Sequence, residues 1–123
     1  MDALIIEATE DTPKVILDPS ESSFQLSERS LPENAIDFYK PIFDWLNKYK
    51  ESPIDTTEFT FKLDYFNTAS AKQITKILLL LEEIAKSNTV QVNWYYQNED
   101  LDMKSSGARF AKLIKVNINL LEY

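Results

Sequence analysis

Amide and hydroxyl side chains collect at one junction of the sequence, between a stretch of alternating apolar residues and a stretch with helical spacing. The junction holds Asn67, Thr68 and Ser70, and each of these residue types can accept a hydrogen bond from the free N–H groups that open a helix. Ser70 followed by Gln73 also fits a capping box. A phosphate on Thr68 suits the same position, because a helix N-terminus stabilises an anion. Helix capping and phosphorylation are therefore both open interpretations.

Acidic side chains form a second group that could do chemistry. Glu82 and Glu83 lie in a predicted helix, and Glu99, Asp100 and Asp102 lie in a predicted loop. Carboxylates can act as acid and base or hold a magnesium ion. We favour a solvated helix face and a solvated loop, since the spacing and glycine of a calcium-binding loop are missing. An enzyme that uses the three loop carboxylates with a divalent metal is the competing class.

The aromatic run Trp94-Tyr95-Tyr96 could form a stacking platform. Alternation places Trp94 and Tyr96 on the core side of a predicted strand, which leaves Tyr95 as the surface contact.

Composition excludes several classes of function. The chain has 123 residues, a formal net charge of −7, one glycine and neither cysteine nor histidine. Disulfides, thiolate nucleophiles, imidazole bases and the usual zinc or haem ligands are thereby excluded. With Gly107 alone, no glycine-rich phosphate cradle can form, so we expect no cofactor. The negative charge favours a protein partner over nucleic acid or an anionic membrane.

Residues 1–123 are expected to form a single domain, because their number and hydrophobic content are typical of one. The first residues lack a basic segment followed by a long apolar one, and no stretch has the length of a membrane span. We therefore expect a cytoplasmic protein.

Apolar periodicity predicts the elements. Residues 3–6, 14–17 and 24–27 read as short strands, the last two as a hairpin. Residues 33–50 read as a helix, in which Pro41 predicts a kink or a start later than Asn34. A strand over 57–66 buries Phe59, Phe61, Leu63 and Tyr65. A helix over 69–87, a strand over 90–96, a loop over 97–106, a helical turn over 107–113 and a strand near 116–120 follow.

The three later strands each have one apolar and one polar face, so helices should cover mainly one face of the sheet. Right-handed crossovers that keep their helices on one face make the strands advance across the sheet in one direction. The predicted fold class is a mixed α/β sheet whose C-terminal half is parallel, with an N-terminal hairpin extending or flanking it. The polar face is left open to solvent or a partner.

Six short motifs are spread over nearly the whole chain, and two of them, PEN and YFNT-S, are not explained by periodicity alone. They read RSLPENA over 29–35, FYKPIFDWL over 38–46, LDYFNTASAK over 63–72, VNWYY over 92–96, EDLDM over 99–103 and GARF over 107–110. In this order they resemble the SiaC family of bacterial regulatory phosphoproteins. The PEN and YFNT-S segments are the most specific parts of the resemblance.

The resemblance implies a non-enzymatic partner-switching protein with a fold similar to STAS domains. In that family the threonine of the YFNT-S segment, Thr68 here, is phosphorylated by a dedicated Ser/Thr kinase and dephosphorylated by a metal-dependent phosphatase. The unphosphorylated form binds and activates a diguanylate cyclase, which raises cyclic di-GMP. Position 69 is alanine where a serine would have added a second acceptor.

The expected partner surface surrounds Thr68. It comprises Asn67, Ala69, Ser70 and Lys72, together with Glu33 and Asn34 at the start of the first helix. Lys72 lies one helical turn beyond Thr68, so it can interact with an added phosphate; its alternative is a solvated lysine. Two other functions remain open: a STAS-type antagonist that captures an anti-sigma-factor kinase, and a structural subunit that self-associates through the polar sheet face.

Overall fold

One six-stranded sheet organises the chain in the computed structural model, which describes residues 1–123. Its strands are β1 (Leu4–Ile6), β2 (Lys14–Asp18), β3 (Ser23–Ser30), β4 (Thr56–Phe66), β5 (Thr89–Tyr96) and β6 (Ile118–Glu122). They lie side by side in sequence order. The pairs β1–β2 and β2–β3 are antiparallel, and the remaining three pairs are parallel. The predicted hairpin, the parallel half and the one-directional advance of the strands are confirmed.

Three helices connect the parallel strands: α1 (Ala35–Tyr49), α2 (Thr68–Ile84) and α3 (Leu101–Leu113). Their apolar faces and the inward face of the sheet form one core of 24 buried residues, so the helices cover one face as predicted. α1 begins directly after Asn34 and continues through Pro41 without interruption. None of the helices combines the length and the apolar character that crossing a membrane requires.

The opposite sheet face carries polar side chains joined across strands. Asn93 donates from Nδ2 to Glu58 Oε1 at 2.8 Å, and Asn119 donates from Nδ2 to Asn93 Oδ1 at 3.1 Å. Asn93 is buried by these neighbours although it faces away from the core. The polar face is thus an ordered ladder over β4, β5 and β6.

A bulge at the end of β4 overturns part of the predicted alternation. Glu28 pairs with Leu63 and Arg29 pairs with Tyr65, so Asp64 is an extra residue on β4. Glu28 has a φ of 75°, in the left-handed region that costs a residue with a Cβ energy. The extra residue shifts the alternation of inward and outward side chains by one position. Tyr65 is therefore 55% exposed instead of buried.

Phe66 takes the inward position that alternation had assigned to Tyr65. Its ring packs edge-on to Trp94 at 6.0 Å and lies 6.2 Å from the ring of Phe110. The bulge therefore packs the last residue of β4 against the core and directs Asp64 and Tyr65 outward, just before α2 begins.

The predicted loop over 97–106 is wrong in its second half, because α3 already begins at Leu101. Gly107 lies inside this helix and faces Trp94 and Leu120, where a Cβ would come within 2.5 Å of Trp94 Cδ1. Glycine is therefore required by the close approach of α3 to β5 and β6 and marks no helix end. Smaller shifts affect the other elements: α2 spans Thr68–Ile84, and β6 starts at Ile118.

Candidate functional site

Three helix starts share one edge of the sheet, since α1, α2 and α3 follow the carboxyl ends of the parallel strands β3, β4 and β5. Each start is capped by an Asn or Asp that accepts a hydrogen bond from the backbone N–H three residues on. Asn34 accepts from Asp37 at 3.1 Å, Asn67 from Ser70 at 2.9 Å, and Asp100 from Met103 at 3.0 Å. One edge of the molecule thus gathers the positive ends of three helix dipoles.

Thr68 is the first residue of α2 and is exposed. The adjacent Asn67 supplies the cap, and the Asn67 backbone N–H donates to the Ser30 carbonyl at 3.2 Å, which ties the helix start to β3. The side chains that hold this turn are therefore Asn67 and Ser70. The Thr68 hydroxyl is left free to react without loss of a bond that the helix needs.

The predicted capping box of Ser70 and Gln73 is wrong. Ser70 is the third residue of α2 and is fully buried, and its hydroxyl donates to the Ser30 carbonyl at 3.0 Å. The Ser30 hydroxyl donates to Ser70 Oγ at 2.8 Å and lies 2.6 Å from the Tyr39 hydroxyl. Since each hydroxyl has one proton, Tyr39 must donate to Ser30. Ser70 thus joins α2 to β3 and α1 and is withdrawn from any partner surface.

Burial of this hydroxyl cluster has an electrostatic consequence. Desolvation raises the pKa of Tyr39 to about 12, against the lowering effect of the neighbouring Ser30 and Ser70 hydroxyls. The neutral phenol is therefore the form that the folded protein prefers.

A cleft of about 320 Å³ opens beside Thr68, between the end of β4, the first turn of α2 and the first half of α3. Three carboxylates and one guanidinium line it: Asp64, Asp100, Asp102 and Arg109. The guanidinium Nη2 of Arg109 donates to Ser106 Oγ at 3.1 Å. The cleft can receive a polar or basic group of a partner, and Arg109 is its one cationic side chain.

A second groove, of about 390 Å³, continues from this cleft between α2 and α3. The two depressions share Phe66, Ala71, Ser106 and Arg109. The outer end is lined by Leu113, which is 63% exposed. The surface beside Thr68 therefore passes along α3 from a mainly acidic end to an apolar end that also carries Lys112.

The remaining predicted site residues occupy different places. Ala69 and Lys72 are exposed on α2, and Lys72 does not line the cleft. Glu33 is exposed, and Asn34 caps α1 at the same sheet edge, but neither lines the cleft beside Thr68.

Three of the five acidic residues that could do chemistry, Glu82, Glu83 and Asp100, have structural partners. Glu82 accepts from the Lys115 backbone N–H at 2.7 Å, and Glu83 pairs with Lys86 at 3.2 Å. Asp100 caps α3. No three acidic side chains of the chain converge closely enough to hold a metal ion, so the geometry gives no support to an enzyme built on the loop carboxylates.

The sequence does not predict a role for Arg109, although the residue lies in the GARF segment over 107–110. The sequence does not show that Arg109 lies near Thr68, because the packing of α3 on β5 and β6 brings the two residues to one cleft. Had α3 been predicted to begin at Leu101, its helical spacing would have placed Asp102, Ser106 and Arg109 on one face.

The structure combines a mixed α/β sheet with a cleft at the edge where its helices start. Residues 6–123 match the model of the SiaC family of regulatory phosphoproteins. The chain belongs to this family.

Similar proteins come from Pseudomonas aeruginosa. An uncharacterized protein of strain UCBPP-PA14 is 29% identical over 101 residues, which cover 81% of this chain and 80% of that protein. The crystal structure of apo-SiaC superposes with a TM-score of 0.90 at 24% identity, covering 98% of this chain and 99% of that one. SiaC in complex with the diguanylate cyclase SiaD, which it activates, gives the same TM-score, identity and coverage. These likenesses confirm the predicted mixed sheet with helices on one face.

Proposed function

We propose that this chain is a non-enzymatic partner switch: with Thr68 unmodified it binds and activates a diguanylate cyclase, and phosphorylation of Thr68 ends that binding. The observation that carries the proposal is the exposed Thr68 hydroxyl at the first residue of α2, beside an acidic cleft. The activation of SiaD by the similar SiaC of Pseudomonas aeruginosa supports the choice of effector.

Burial distinguishes Thr68 from the other hydroxyl of the segment. Ser70 is fully buried and bonded to Ser30, so a kinase would have to unfold the first turn of α2 to reach it. Thr68 is exposed, and Asn67 rather than Thr68 caps the helix. A phosphate on Thr68 is therefore compatible with the folded domain, and the position at a helix N-terminus favours the added charge.

The modification acts through charge. A kinase transfers the γ-phosphoryl group of a nucleoside triphosphate to Thr68 Oγ1, which loses its proton as the bond to the diphosphate breaks. A metal-dependent phosphatase reverses the step by hydrolysis. The phosphate adds about −1.5 to −2 charges beside Asp64, Asp100 and Asp102. A partner that docks a polar or apolar surface there would have to desolvate or oppose this charge, and binding is lost.

The proposed partner surface is the edge where the helices start. It takes Asn67, Thr68 and Ala69 from the first turn of α2, and it extends to Lys72 on α2 and to Glu33 and Asn34 at the start of α1. A cytoplasmic location follows from the nucleotide substrates of the kinase and the cyclase. Residues 1–123 act as one regulatory domain.

Substitution of Thr68 tests the proposal. The probe is purified diguanylate cyclase encoded by the same organism, with binding measured by calorimetry and activity by cyclic di-GMP production. Thr68→Ala is expected to bind and activate like the unmodified chain. Thr68→Asp is expected to weaken binding at least about tenfold, because it places like charge in the interface.

Thr56→Asp is the matched control, since Thr56 is exposed at the opposite end of β4 and gains the same charge. It is expected to bind normally. Equal binding by Thr68→Ala and Thr68→Asp would refute the switch, and equal weakening by Thr56→Asp would reduce it to an effect of net charge. Capture of an anti-sigma factor instead of a cyclase would reassign the effector.

A further inference from the structure

Arg109 is the cation that the structure places in the cleft of Thr68. It lies on the third turn of α3, while Thr68 lies on the first turn of α2, so the two side chains reach the cleft from different helices. Both side chains line this one cleft, which measures about 320 Å³.

The guanidinium of Arg109 is held but not neutralised. Of its five N–H donors, Nη2 bonds to the buried Ser106 Oγ at 3.1 Å. The chain contains two ion pairs, Lys40 with Asp44 and Lys86 with Glu83, and Arg109 is in neither. Although Asp100 and Asp102 line the same cleft, neither carboxylate comes within ion-pair distance of Arg109. Donors and charge thus remain available to an anion that enters the cleft.

We infer that Arg109 is the intramolecular receptor for the phosphate on Thr68, and that this bond bridges α2 and α3 across the cleft. The inference rests on the proposed function for the existence of that phosphate. An arginine fork matches the oxygens of a phosphate in a bidentate bond, which a lysine cannot form. The bridge uses the Arg109 donors that Ser106 leaves free and fills the cleft from within.

The bond between Arg109 and the phosphate also alters the neighbouring groove, because Arg109 lines both the cleft and the groove. Phosphorylation would therefore change the apolar part of the surface, beyond Thr68 itself, without moving the sheet. The added charge and the guanidinium now bonded to the phosphate both oppose an effector that recognises the open cleft.

Phosphorus NMR tests the inference on the full-length chain with phosphothreonine incorporated at position 68 during translation, so that no kinase is needed. The second pKa of phosphothreonine, about 6, is read from its pH titration. It is expected to be lower in the parent than in Arg109→Gln by about half a unit or more, because a bound guanidinium favours the dianion. The negative charges that line the cleft raise this pKa equally in both proteins; they are Asp64, Asp100 and Asp102.

Lys112→Gln is the matched control, since Lys112 lies one turn further along α3 and lines the groove but not the cleft. It is expected to keep the parent value within about 0.2 unit, and Arg109→Lys is expected to restore part of the lowering. Equal titration of parent and Arg109→Gln would overturn the inference, as would an equal change in Lys112→Gln. The proposed function is judged separately: a phosphorylated chain that still binds the cyclase would refute the switch whatever the titration shows.

Discussion

At the scale of single residues, Gly107 decides how closely α3 approaches the sheet. The indole of Trp94 occupies the space that a side chain would need, and its Nε1 donates to the Met103 carbonyl at 2.9 Å on the same helix. The indole thereby fixes α3 by contact and by hydrogen bond. Because α3 carries Arg109 and Ser106, the missing side chain at position 107 also sets the width of the Thr68 cleft.

Gly107→Ala is expected to destabilise the fold even though alanine is the better helix former. Alanine gains about 1 kcal/mol in helix propensity, but overpacking a filled core typically costs about 1–3 kcal/mol. The added Cβ would lie 2.5 Å from Trp94 Cδ1 and 2.7 Å from Leu120 Cδ2, so we expect the upper part of that range. Urea unfolding followed by tryptophan fluorescence measures the free energy of unfolding.

Ser105→Ala is the control for Gly107→Ala, since Ser105 is exposed on the same helix and alanine there gains propensity without a clash. It is expected to leave the stability unchanged or to raise it by a few tenths of a kcal/mol. A more stable Gly107→Ala variant would mean that α3 can move away from Trp94 at little cost.

At the scale of elements, the strands and the first two helices could be predicted because their apolar periods are regular. Only the second half of α3 could be predicted, as the helical turn over 107–113, since the polar run Lys104-Ser105-Ser106 and Gly107 interrupt the apolar spacing before it. The face of Tyr65 was mispredicted because a bulge depends on the pairing of β3 with β4, which single-strand alternation does not contain. Ser70 was mistaken for a cap for the same reason: its partner Ser30 lies 40 residues away.

The cap of α2 yields a prediction at this scale. Asn67→Ala removes the acceptor of the Ser70 N–H and is expected to lower the free energy of unfolding by about 1 kcal/mol. Asn98→Ala is the control, because Asn98 is an exposed residue of the segment between β5 and α3. Equal stability of the two variants in urea unfolding would show that the α2 start is held by Ser70 and the Ser30 carbonyl alone.

At the scale of the whole molecule, the hydroxyl cluster of Ser30, Tyr39 and Ser70 joins β3, α1 and α2 in the interior, directly beneath the edge that we propose as the partner surface. The site residues above it are exposed, whereas the cluster is buried. The hydrogen bonds that link these three elements depend on the protons of the neutral hydroxyls.

Alkaline pH is expected to weaken this hydroxyl cluster and to lower the free energy of unfolding. The folded pKa of Tyr39, about 12, lies above the unfolded value of 10.0, so its contribution is fully present below pH 10.0 and is lost as the pH rises toward about 12. The linked loss is roughly 2–3 kcal/mol at most. Tyr39→Phe should be less stable at neutral pH, because Ser30 loses its donor, yet its free energy of unfolding should fall less steeply across this window. Equal slopes of the free energy of unfolding against pH in the parent and in Tyr39→Phe would contradict the assignment of this loss to Tyr39.

The strand order has a consequence for how the protein is made. Because the strands lie in the sheet in the order in which they occur in the chain, each strand emerging from the ribosome finds the strand it pairs with already synthesised. Assembly can therefore follow translation from the hairpin outward, without waiting for a distant segment. Thr68 is synthesised well before α3, so the cleft acquires its second wall only when the last third of the chain has been added.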